Sequence, residues 1–146
     1  MKPAIEAMRN WLLGCPAISG ALGCGDTVRI HFLSGDAVEF SIEDTPTDPI
    51  VQRYFSGAVK AKNYSLVSCM EYSENDAVQA ANSGIFDDIA DWVERQDAAR
   101  RYPDIGYRVD GVQVTTTGYL VSNEAGSCRF QIQLQLQYYQ PKGANT

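Results

Sequence analysis

Towards the end of the chain, apolar and polar residues alternate strictly. Phe130, Ile132, Leu134, Leu136 and Tyr138 interleave with Gln131, Gln133, Gln135 and Gln137. A period of two marks a β-strand with one buried face and one wet face. Upstream, Val112, Val114 and Thr116 alternate with Gln113, Thr115 and Thr117, and Tyr119-Leu120-Val121 continues the run. Asn123-Glu124-Ala125-Gly126 supplies the turn, so the two runs predict a hairpin. Gly118 inside the first run marks a bulge or a close approach.

A second hairpin is predicted earlier. Val28, Ile30 and Phe32 alternate with Arg29, His31 and Leu33, and Val38, Phe40 and Ile42 alternate with Glu39, Ser41 and Glu43. Ser34-Gly35-Asp36 between them reads as a tight turn. The stretch 43–49 is acidic, with Pro46 and Pro49, and reads as a loop. Residues 50–55 resume order as a short helical turn that Gly57 ends. From Val59 to Tyr72, both alternating faces are partly apolar, which predicts a central strand.

Helical periods fill the rest. Ile5, Met8, Trp11 and Leu12 form one stripe over 3–14, with Pro3 in the first turn and Gly14 and Pro16 as stops. Small residues from Cys15 to Asp26 predict a loop. Asp76 to Ala81 reads as a short helix, broken at Asn82-Ser83-Gly84. A second helix then carries Ile85, Ile89, Trp92 and Val93 on one side and Asp87, Asp88, Asp91, Glu94 and Arg95 on the other. A loop from Tyr102 to Val109 follows.

The predicted order is helix, hairpin, strand, helices, hairpin. It implies an α+β fold: an antiparallel or mixed sheet of about five strands, with the helices packed on one face. A length of 146 residues suits one domain over 1–146, with 140–146 expected as a disordered polar tail.

Composition narrows the function. The chain is 45% apolar and 21% charged, which is globular. A net charge of −6 argues against sequence-specific nucleic-acid binding and against a polybasic membrane anchor. Apolar runs stay far short of the ~18 residues a membrane helix needs. Glu6, Arg9 and Asn10 interrupt the N-terminal run, so it does not read as a signal peptide. The acidic surface reads as ordinary solubility, or as a surface past which nucleic acid slides without sticking.

Chemistry finds little support. Cys15, Cys24, Cys69 and Cys128 show no C-x-x-C spacing, and His31 is the sole histidine, so free thiols are the simpler reading. His31 reads as an exposed strand residue rather than a catalytic base. Asp87 and Asp91, one helical turn apart, could serve a small metal enzyme, but they oppose the apolar stripe and read as a solvated face. Glu43, Asp44 and Asp48 match no calcium loop. No phosphate-binding glycine motif occurs. The expectation is a non-enzyme without cofactor. The neutral glutamine row is either a solvent face or a polar interface or channel lining, which would avoid burying charges.

Several segments together resemble a family of small phage proteins, the minor capsid or minor tail proteins that act as tail terminators. These segments are "VEFSIEDTPTDPIVQRY" from Val38 to Tyr54 with Gly57 after it, "NSGIFDDIADWVERQ" from Asn82 to Gln96, "TGYL" from Thr117 to Leu120, and "RFQIQLQLQYYQ" from Arg129 to Gln140. The resemblance implies a tail-terminator-like α+β fold and assembly as a ring, typically a hexamer. The ring would cap the tail tube, meet the head-tail connector and let DNA pass. The chain would then reside in the virion tail or neck, and in host cytoplasm during assembly. Another neck or head-completion role in the same particle is the neighbouring implication. Asp48, Pro49, Ile50, Arg53 and Tyr54 are candidate contacts, mixing apolar anchors with a cation. Ile50 and Tyr54 could equally fold onto the core. Gln131, Gln133, Gln135 and Gln137 are the other candidates.

Overall fold

A strand of 15 residues, Gly57–Glu71, organises the molecule because it pairs on both sides. The computed structural model describes residues 3–22, 27–33, 38–71, 75–124 and 127–143. In chain order the elements are α1 (Ala4–Leu12), α2 (Pro16–Leu22), β1 (Arg29–Ile30), β2 (Glu39–Thr45), β3 (Ile50–Arg53), β4 (Gly57–Glu71), α3 (Asp76–Ala98), β5 (Arg108–Glu124) and β6 (Ser127–Pro141). The strands form one open, mixed, six-stranded sheet in the order β1-β2-β4-β6-β5, with β3 also paired to β4. The fold is α+β.

β4 meets β6 antiparallel along its whole length, from Gly57 opposite Pro141 to Glu71 opposite Ser127. On its other side β4 changes partner. β2 pairs with residues 63–69, and β3 pairs with residues 58–60. β5 returns antiparallel to β6 at the outer edge. The connection β4-α3-β5 therefore steps over β6.

One face of this sheet is the core side. Phe40, Ile42, Tyr64, Leu66, Phe130, Ile132, Leu134 and Leu136 are all buried there with side chains from all three helices. Phe86 of α3 stacks on Phe130 (centroids 5.2 Å, planes 16° apart) and tilts against Phe40 at 6.2 Å. Gly118 of β5 lies directly beneath it. A Cβ built there would sit 2.4 Å from the Phe86 Cβ. The glycine that marked a bulge or close approach is thus the seat of a fully buried ring of α3. Shifts in register flank it between Thr116 and Tyr119.

Several expectations are corrected. The region 15–26 is not all loop, since α2 occupies Pro16–Leu22. Ile18 and Leu22, four residues apart, are buried with Cys15, and α2 packs against α3. A helix this short with Gly20 inside is unstable alone, so burial rather than propensity holds it.

The first hairpin does not form. β1 lies parallel to β2, with Arg29 opposite Ser41 and Ile30 opposite Ile42. His31 adopts φ 54°, a left-handed conformation that ends the strand at Ile30. A parallel pair cannot be joined by a tight turn. The expected turn at 34–36 lies outside the described residues, as does Tyr72. Phe32 continues over Ser41 and donates its N–H to Ser41 Oγ at 3.0 Å.

Residues 50–53 are strand rather than a helical turn. β3 and the start of β4 make a hairpin across Tyr54–Gly57, closed by Tyr54 N–H to Gly57 O at 2.7 Å and its reciprocal at 3.3 Å. The expected tail at 140–146 is strand at its start, because Gln140 and Pro141 pair with Ala58 and Gly57, and 144–146 lie outside the described residues.

α3 is a single helix through Asn82-Ser83-Gly84. Asn75 caps it, its Oδ1 accepting from Ala77 N–H at 2.8 Å. Asn82 is buried and donates to Gln79 Oε1 at 3.2 Å. The apolar stripe Phe86, Ile89, Trp92 and Val93 carries the helix past the roughly 1 kcal/mol cost of Gly84. Nothing lies within 4 Å of a Cβ built on Gly84. Gly84→Ala is therefore expected to stabilise the protein by about 0.5–1 kcal/mol. Urea unfolding would show it as a higher midpoint at unchanged slope.

Candidate functional site

The candidate contacts fall on two adjoining surfaces. Asp48 and Pro49 enter β3, Ile50 and Arg53 lie on it, and Tyr54 opens its turn. Ile50 is half-buried, while Arg53 and Tyr54 are exposed. The β3–β4 hairpin forms an arm at the end of the sheet. Its tip is apolar: Val51 and Tyr54 are half exposed or more, and Phe55 is 101% exposed. The arm is braced. Ser56 Oγ accepts from Tyr139 Oη at 2.6 Å, and Ser56 O accepts from Lys142 N–H at 2.7 Å. Gly57 touches the end of β6 so closely that a Cβ would lie 2.3 Å from Gln140 O. The tip is therefore held out in water by its own base.

The second surface is the helix-free face. Gln131, Gln133, Gln135 and Gln137 stand on it half-buried, as the period of two required. Their neighbours beneath, Ala61, Ser65 and Val67, are buried. The amides are knitted together: Gln131 Nε2 donates to Ser65 Oγ at 3.2 Å, and Gln135 Nε2 to Asn63 Oδ1 at 3.1 Å. Gln137 Nε2 donates to Gln135 Oε1 at 2.9 Å, and Thr116 Oγ1 to Gln133 Oε1 at 3.2 Å. The result is a hydrogen-bonded row of neutral amides, with Glu39, Glu43 and Arg129 on the same face of the sheet. Gln137 sits opposite Ala61, whose N–H bonds Pro49 O at 2.9 Å, so this end of the row adjoins the arm. Gln131 lies six residues further along, about 20 Å away.

A groove of about 580 Å³ lies on the helix side. Pro3, Glu6 and Trp11 of the α1 region face Tyr102, Pro103 and Asp104 of the following loop. Trp11 is fixed by its Nε1–H to Arg101 O (3.0 Å) and by the Trp92 ring at 4.7 Å. Tyr102 donates to Asp97 Oδ1 at 2.7 Å, and the same oxygen accepts the Val112 N–H at 3.2 Å. Asp97 thus ties α3, the loop and β5 together.

The other polar candidates are dispersed. His31 Nε2 approaches Asp44 Oδ2 to 3.2 Å, with both side chains at least half exposed. Asp87, Asp88, Asp91 and Glu94 face solvent on α3. Cys15, Cys69 and Cys128 are buried and form no disulfide among the described residues, and Cys24 lies outside them. Burial pushes the Cys15 and Cys128 thiols up, which suppresses the reactive thiolate. Among the described residues no three His, Cys, Asp or Glu gather as a metal site, and no helix is long and apolar enough to cross a membrane.

The tyrosines carry the pH dependence. Tyr102 is pushed up to about 12, first by burial and then by its bond to the Asp97 carboxylate. Tyr64 is raised further, by burial and then by the Asp44 charge. Tyr138 is raised by burial and then by Tyr107. Unfolded, each ionises near pH ~10. The folded state holds these protons to higher pH, so their contribution is full below pH ~10 and falls above it; the part from Tyr102 is lost as pH rises through about 12. Melting temperature should fall over that window, and Tyr102→Phe should make the fall shallower. Thermal melts across pH ~9–12 would check this, and an unchanged slope would count against it.

Within the candidate segment 48–55, sequence reasoning singled out neither Phe55 nor Val51. The available signal was the run Ile50-Val51-Gln52-Arg53 before Ser56-Gly57, which is a strand and a turn. It missed the groove altogether, because its two walls lie about 90 residues apart in the chain. No family model matches this chain, and no curated protein matches it.

Proposed function

We propose that this chain is a structural subunit of a phage tail, a tail-terminator-like component that assembles as a ring, caps the tail tube and joins it to the head connector. The observation that carries the reading is the braced arm with Val51, Tyr54 and Phe55 in water. Exposed apolar side chains held out on a braced base fit a protein that acts through its contacts. The glutamine row beside it is neutral and internally bonded, so the row can lie against a neighbour without desolvating charge. A net charge of −6 suits a ring through which DNA passes without being held. The order and spacing of the segments from Val38 onward add the phage-tail assignment. On this reading the chain performs no catalysis.

Light scattering on the full chain, with co-sedimentation on purified tail tubes, tests it. An oligomer of ring size that binds tube ends is the expected result. A monomer at high concentration that ignores tubes would overturn the reading.

A further inference from the structure

The arm and the groove are complementary, yet they lie on different surfaces of one subunit. The arm is the sheet's outer edge, at the level where Gln52, Val59, Tyr139 and Arg108 form one row across four strands. The groove belongs to the helix layer. Phe55 is fully exposed, so the arm does not fill the groove of its own chain.

Charge is segregated in the same way. Although the chain is acidic overall, the arm carries Arg53 directly before Tyr54 and Phe55, Lys142 bonds Ser56 O through its backbone N–H, and Lys60 lies opposite Ile50 at the base of the arm, with Asp48 at its entry. The groove has an apolar floor of Trp11 and Pro103 and an acidic rim of Glu6 and Asp104. Half-buried Arg9 approaches exposed Glu6 at 3.7 Å, a surface pair that contributes little, and Asp104 Oδ1 accepts the Gly106 N–H at 3.1 Å while its residue stays exposed. A volume of about 580 Å³ lies within the roughly 300–1,000 Å³ range of ligand-sized clefts.

We infer that the β3–β4 arm of one copy seats in the α1–Tyr102 groove of the next, with Phe55 on Trp11 and Pro103 and Arg53 between Glu6 and Asp104. The occupant is a second copy of this chain. The inference rests on the ring reading and names its contact. Because arm and groove are different surfaces, the contact is heterologous, and repeated with closure it generates a ring. An aromatic anchor flanked by a cation at the centre of a patch is the composition of an interface hot spot. The bracing of Ser56 and Gly57 removes ordering cost beforehand.

Sedimentation of the full chain and its variants tests this. Phe55→Ala is expected to weaken self-association at least ~30-fold without changing the melting temperature of the monomer, since the Phe55 ring has no contact to lose there. Arg53→Glu and Glu6→Arg should each weaken it, and the double variant should recover part of the loss. Arm-defective Phe55→Ala mixed with groove-defective Glu6→Arg should pair, because one intact arm and one intact groove remain. If wild type assembles and these variants assemble equally well, the arm-groove contact is wrong and the ring reading stands. If the variants still assemble but lose tail-tube binding, the arm serves a different partner and the inference falls. If wild type is monomeric and ignores tubes, both fall.

Discussion

Gly118→Ala is expected to destabilise the fold by about 1–3 kcal/mol although it adds a single methyl group. The new Cβ would sit 2.4 Å from the Phe86 Cβ and 2.9 Å from its Cγ, closer than carbon atoms approach. Phe86 cannot swing aside, because it is 1% exposed and held between Phe130 and Phe40. Either α3 lifts from β5 or the bulges around Thr116 and Tyr119 rearrange. Phe86→Ala should cost about 3–5 kcal/mol through lost burial and the cavity left behind. The double variant is the sharper measurement. With the ring gone, the methyl added at position 118 meets open space, so its cost should largely vanish. Denaturant unfolding of the four chains should give a coupling of about 1–3 kcal/mol, with the double variant more stable than the sum of the singles. Additive losses would show that Gly118 is needed for its backbone conformation instead of its lack of a side chain.

Asp97→Ala should be the most damaging polar substitution, at about 2–3 kcal/mol. Its carboxylate accepts from Tyr102 Oη at 2.7 Å and from Val112 N–H at 3.2 Å. Hydrogen bonds to a charged acceptor are stronger than neutral ones. Val112 is buried, so losing the acceptor leaves its N–H without a partner in a place water does not reach. Asp97→Asn keeps an oxygen in place and should lose about half as much. Hydrogen exchange gives a second readout, with the Val112 amide losing protection in Asp97→Ala. The consequence reaches the proposed contact. Tyr102 forms one wall of the groove, so freeing it should also weaken arm docking. Unaltered stability in Asp97→Ala would remove this residue from the account.

The difference between what was legible and what was not follows the range of the interactions. The middle of β6 was visible, because strict alternation over Phe130–Tyr138 leaves one way to bury every second side chain. β4 was visible because two apolar faces require neighbours on both sides. The stripe on α3 was visible for the same kind of reason, and the packing of all helices on one face followed from it. Each of these is a local period that the chain carries within itself.

The misses share the opposite cause. Nothing in 15–22 favours helix strongly, and α2 exists because Ile18 and Leu22 find a core built from distant segments. The break at Asn82-Ser83-Gly84 was real in propensity but was outweighed by the buried residues flanking it. The segment 28–43 carries hairpin-like alternation and turn composition, yet Phe32 is exposed and Ser41 is buried. A left-handed His31 and pairing of β2 with β4 set a parallel neighbour instead.

The candidate site divides in the same way. The glutamine face was determined by the sequence, because a period of two assigns every second residue to the surface opposite the core. The segment Asp48–Tyr54 was legible as unusual composition, but its shape was not. Whether Tyr54 and Phe55 meet core or water depends on the end of β6, which bends none of its residues over them and instead braces Ser56 and Gly57. The groove was beyond any local reading. Trp11 and Tyr102–Asp104 become neighbours only when α1 and the loop after α3 converge on the helix layer. Alternation determined which faces this protein has, while the long-range packing of α1, α3 and β6 decided where its apolar arm and its groove stand.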